Sequence, residues 1–196
     1  MDEMLEITIA LLSLVVALTL VFWNSPVFAG FDILSIFIVL FFAIGIGFVA
    51  HEMAHKWVAI KFGSAARFVL WPMGVMVMLV LALLPLKFIF AAVGAVYIFK
   101  PYISRRENGM ISAAGPATNI LLCCIFLAVL LLSSLFGIGL TNIVKAICII
   151  GININSFLAF FNLWPIAILD GNKILSWDAR VWGVLMALAV FFMLFI

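Results

Sequence analysis

Apolar residues in this 196-residue chain fall into six long runs, roughly 4–23, 33–60, 70–99, 110–136, 143–170 and 181–196. Between them cluster turn-formers and charges: Asn24, Pro26 and Gly30, then Gly63 to Arg67, then Lys100 to Gly109. A helix needs about 20 apolar residues to cross the hydrocarbon layer. The pattern therefore predicts an all-α polytopic membrane protein with about six transmembrane segments. The run 70–99 is the irregular one, interrupted by Pro72, Gly74, Pro85, Lys87 and Gly94. Its second half is rich in β-branched and aromatic residues, which predicts a helix followed by a short re-entrant β element around 88–99. Such a strand survives at membrane depth only where protein or a watery cavity satisfies its backbone.

Composition sharpens this picture. The chain is 69% apolar and 9% charged, with a mean hydropathy of +1.44, which excludes a water-soluble globular protein and a disordered tail. A net charge of +2 lacks the basic excess of a nucleic-acid binder. Cys123, Cys124 and Cys148 lie inside apolar runs without zinc-type pairing and read as small buried hydrophobes. One membrane-embedded domain spanning 1–196 is expected. Asp2, Glu3 and Glu6 open the chain with no early Lys or Arg, so the first run reads as a retained span rather than a cleaved signal. Lys and Arg alternate between successive loops in the pattern of a multi-pass cell-membrane protein with its N-terminus in the cytoplasm.

The most informative residues are His51-Glu52-Met53-Ala54-His55, which hold both histidines of the chain. Four residues is slightly more than one helical turn, so the two imidazoles share a face and Glu52 sits about 100° round from His51. This is the spacing at which two neutral histidines hold zinc and the intervening Glu activates a bound water. The plainer alternative is a pair of helix-end histidines with Glu52 bonded to Lys56. Ionisable residues inside a span cost several kcal/mol and mark functional sites, which favours the metal reading.

Catalytic zinc usually takes three protein ligands. Of the remaining carboxylates, only Asp170 ends a long apolar run. Pro165 must kink or unwind the segment before it, and Gly171 permits a sharp turn after it, so Asp170 can swing back towards the histidines. Alternatively Asp170 caps the next helix. Ser112 to Asn119 is small and lightly polar, which suits close helix packing with Asn119 bonding across the contact. Asn153, Asn155 and Ser156 read either as interhelical glue or as the wall of a water path.

These elements, in this order, resemble the site-2 protease family of intramembrane zinc metalloproteases. The matching segments are His51 to His55, Gly115-Pro116-x-x-Asn119, and Asn162-x-x-Pro165-x-x-x-Leu169-Asp170-Gly171. The likeness covers about 33–175 and looks like a bare catalytic core without PDZ or nucleotide-sensing domains. Ala54, Ile168 and Asn172 stand where many members have Gly, Pro and Gly. The resemblance implies that His51, His55 and Asp170 ligate one Zn2+ per chain and that Glu52 is the general base. It also implies that Asn162 lies close to the reacting peptide, binding its backbone or steadying the oxyanion. The expected partner is a transmembrane protein substrate within the lipid bilayer, with water reaching the site from the cytoplasm past Ser112, Asn119 and Asn155. An intact transmembrane helix hides its carbonyls, so substrates are expected to unwind and pair with the edge of the strand around 88–99. The rival readings are an ion or proton transporter using the same polar residues, a non-catalytic scaffold, and a different HExxH protease with Glu107 as its distant ligand.

Overall fold

In chain order the elements are α1 (Glu3–Phe22), α2 (Ile33–Leu40), α3 (Ile46–Lys61), β1 (Ala65–Leu70), α4 (Pro72–Leu83), β2 (Gly94–Phe99), α5 (Arg105–Leu135), α6 (Asn142–Asn162), α7 (Asp170–Trp177) and α8 (Ala179–Phe195). They come from a computed structural model that describes residues 2–84, 93–166 and 168–195. Five π-helical residues, Phe41–Gly45, join α2 and α3 into one 29-residue rod. Among the described residues, α1, this rod, α5 and α6 are long and apolar enough to cross a membrane, so the chain has four candidate spans where the apolar runs suggested six.

The two apolar runs without a candidate span are shorter helices for local reasons. The run 70–99 divides: Pro72 starts α4, which ends after 12 residues where Leu84 turns extended, and Gly94 begins β2. The run 181–196 forms α8, whose 17 described residues stand at the short end of the about 17–25 that a span needs. The expected β element is present over Gly94–Phe99, while 88–92 lies outside the described residues.

That strand has a partner which the turn signals at Gly63 to Arg67 concealed. Gly63 leaves α3 at a φ of +73°, a conformation glycine adopts without strain, and Ala65–Leu70 then runs antiparallel to β2 from Ala65↔Phe99 to Leu70↔Gly94. Phe68 is fully buried beneath the sheet, edge-on to Phe48 of α3. The outer edge of β1 is closed by α1. Glu3 accepts a hydrogen bond from the Phe68 amide at 2.9 Å, and Glu6 accepts one from the Leu70 amide at 2.9 Å.

Between helices in lipid, close packing replaces water release as the attractive force, so small residues mark the contacts. A Cβ at Gly151 of α6 would press on the Phe126 ring of α5 at 2.6 Å, and one at Gly109 of α5 would run into Trp177 of α7. α5 begins with a capping box in which Ser104 and Glu107 satisfy each other's backbone amides. Because the spans alternate in direction, the C-terminal end of α3, the N-terminal half of α5 and the turn after α6 meet at one end of the bundle.

Candidate metal centre

His51 and His55 are buried one turn apart on α3. Their Nε2 atoms lie 3.0 Å from each other, and Asp170 Oδ2 lies 3.2 Å from His55 Nε2 and 3.6 Å from His51 Nε2. The opposite ring nitrogens are engaged elsewhere. His55 Nδ1 donates to the Ile111 carbonyl at 2.7 Å, and His51 Nδ1 is 2.6 Å from Asn119 Oδ1. With Nδ1 carrying the proton in both rings, both Nε2 lone pairs point inward at a carboxylate oxygen. Three acceptors at these separations repel one another unless a proton or a metal ion lies among them. Tetrahedral ligands about 2.0–2.2 Å from a zinc ion stand about 3.3–3.6 Å apart, and the sides of this triangle, 3.0, 3.2 and 3.6 Å, centre near the lower end of that range.

Glycine makes the room. A Cβ at Gly115 of α5 would strike His55 Nε2 and come within 2.6 Å of His51 Nε2, so any other residue here would fill the space into which the three donors point. Gly171 serves the third donor in the same way. A Cβ there would collide with the Leu163 carbonyl, so only glycine lets α7 start against the end of α6. The Leu163 carbonyl is also held from α8 by Trp182 Nε1 at 2.7 Å. Asp170 is the first residue of α7, with Leu169 at the cap; its Oδ2 is turned to the histidines while its Oδ1 lies 3.6 Å from Lys173 Nζ of the same helix.

The fold and the site have counterparts among known proteins. Residues 39–147 match the model of peptidase family M50, a stretch that takes in His51 to His55 and Gly115 to Asn119 and stops before Asp170. A Methanocaldococcus jannaschii protein named "Putative zinc metalloprotease" is 36% identical over 186 residues, covering 93% of this chain and 87% of that protein. The chain belongs to peptidase family M50. It is thus of the site-2 protease type, a family of zinc metalloproteases of membranes, and the His51, His55 and Asp170 grouping fits the metal this family implies. No solved structure matches the chain.

The other expected residues of this M50 protein are placed as follows. Glu52 is not bonded to Lys56. Its Oε2 accepts from the Val96 amide of β2 at 3.0 Å, while Lys56 pairs with Glu3 at 2.6 Å. Asn162 ends α6 and donates to its own helix at Leu158 O, and no hydrogen bond joins it to the three converging donors among the described residues. Glu107 is held by Lys100 at 2.6 Å and by Ser104, which removes it as a distant ligand. Asp32 and Asp178 cap α2 and α8. Asn119 and Asn155 are fully buried and bonded to each other at 2.8 Å, so they do not line a water path. The Val96 amide, the Ile111 carbonyl and Trp182 could not be anticipated, because each acts through a contact distant along the chain. Gly115 could have been found from the Gly-Pro-x-x-Asn pattern.

Proposed function

We propose that this M50 chain is an intramembrane zinc endopeptidase that hydrolyses peptide bonds within or near transmembrane segments of other membrane proteins. One observation carries the reading: two histidines and an aspartate from opposite ends of the chain turn three lone-pair donors onto one gap that a glycine keeps open. His51, His55 and Asp170 would hold one zinc, which supplies Lewis acidity and lowers the pKa of water to about 7. Glu52, next to His51 on the same helix, takes the proton of the attacking water and delivers it to the leaving amine nitrogen. Asn162, at the end of α6 and just before the turn that leads to Asp170, is assigned to the substrate peptide.

The substrate reaches the site as an extended strand on β2. In the antiparallel register, the amides of Gly94, Val96 and Ile98 point away from β1, towards α3 and the site. A transmembrane segment with weak helix-formers can unwind and offer its carbonyls to that edge. Water enters at the end of the bundle where the basic loops lie, taken as the cytoplasmic side with the N-terminus.

The test is metal counting and a cleavage assay on a transmembrane substrate with protein purified in detergent. Wild type is expected to carry about one zinc. Glu52→Gln is expected to keep the metal and lose cleavage, and Asp170→Asn to lose both. Cleavage by Glu52→Gln at the wild-type rate refutes the mechanism, and ion flux in vesicles that survives Glu52→Gln would favour a transporter.

A further inference from the structure

We infer that Asn155 is a positioning residue for the metal centre. It sets which nitrogen of His51 carries the proton by fixing the orientation of Asn119. The inference rests on the metal reading above only for its affinity test. Asn155 hydrogen-bonds to neither histidine. Its Nδ2 donates to two backbone carbonyls, Ala43 at 3.0 Å and Gly151 at 2.8 Å. A carbonyl can only accept, so the amide has one allowed orientation, with Oδ1 turned to Asn119. Asn119 Nδ2 must then be the donor, at 2.8 Å to Asn155 Oδ1 and at 3.3 Å to the Gly47 carbonyl. Asn119 Oδ1 is left facing His51 Nδ1 at 2.6 Å, and an oxygen acceptor there requires Nδ1–H. The Nε2 lone pair is thereby directed at the gap.

Two backbone features serve this chain of bonds. Ala43 lies in the π-helical stretch Phe41–Gly45, where the ordinary i→i−4 ladder is interrupted, and Asn155 donates to its carbonyl. Gly47 has no side chain, and a Cβ there would collide with Asn155 Oδ1. Asn119 and Asn155 are both fully buried, so no water can substitute for a misdirected amide. Outer partners of metal-bound histidines typically govern affinity by roughly 10–100-fold.

A symmetric acceptor isolates this role. A carboxylate offers oxygen at both ends and needs no orienting partner. In wild type, Asn155→Ala is expected to weaken zinc binding roughly 10-fold, measured by chelator competition. In an Asn119→Asp background, where a carboxylate oxygen instead of an amide donor faces Asn155 Oδ1, the same Asn155→Ala change is expected to cost no affinity. An equal loss in both backgrounds would make Asn155 a merely structural residue and overturn the inference. A second measurement needs no variant. The chain has two histidines, so 15N-histidine labelling of the full-length protein resolves both rings. His51 is expected to carry a proton on Nδ1 without metal, and a ring protonated on Nε2 alone overturns the proposal. Wild type that binds no zinc yet shows Nδ1–H at His51 refutes the metal reading and leaves the orientation chain standing.

Discussion

The two edges of the small sheet are treated in opposite ways. The β1 edge is closed by two carboxylates from α1, Glu3 and Glu6, each backed by a cation: Lys56 at 2.6 Å and Arg67 at 2.6 Å. The β2 edge has one carboxylate against it, and that carboxylate is Glu52, the proposed base. A two-stranded ribbon has open N–H and C=O groups on both sides, a liability that folds usually cover. Here one side is covered by groups with no other task, and the other by a group that must be free to move during reaction. The edge with two carboxylates holds the ribbon against α1; the edge with one is where the proposed substrate strand would pair.

Four substitutions probe that contrast, from the largest expected effect to the smallest. Glu52→Gln keeps an oxygen for the Val96 amide, so thermal stability is expected to be unchanged while cleavage falls about 10²–10⁴-fold; a shift in melting temperature would mean that Glu52 also staples the fold. Glu6→Ala strips the Leu70 amide and the Arg67 guanidinium of a buried partner and is expected to destabilise the protein by about 1–3 kcal/mol in detergent unfolding. Ile98→Pro removes an outward amide of β2 without touching the β1 pairing, and a cleavage loss of about 3–10-fold at unchanged stability is expected from one missing edge bond. Full activity in that variant would end the strand-pairing reading. Lys56→Ala breaks a partly exposed ion pair, so its expected cost stays within about 1 kcal/mol, with normal cleavage.

What could be read from the sequence was local. His51 and His55 declare themselves because four residues on a helix fix their geometry wherever the helix goes. Asp170 emerged because Pro165 and Gly171 bracket it and because the other carboxylates stand at helix starts and loops. The π-helical stretch Phe41–Gly45 is announced by Gly45 alone, and one glycine inside an apolar run does not tell a π stretch from a continuing helix. Strand β1 is six residues long and overlaps a turn signal, so periodicity had too little length to register it. Glu3 and Glu6 looked like the polar lead-in to a span, and their role depends on amides more than 60 residues away. Asn155 shows the same limit inside a helix. One amide in an apolar stretch reads as glue, and its meaning lies in the direction of its donors, which three-dimensional neighbours alone decide.

The convergence of α3, α5 and the turn after α6 at one end of the bundle has a consequence for the products of the proposed reaction. A segment severed there is divided unequally. The longer fragment retains most of its apolar length and stays anchored in the lipid, while the shorter one keeps too little to hold it and is released beside the leaflet where the cut was made. Position along the bundle axis, as much as chemistry, would then decide which half of a severed protein travels onward.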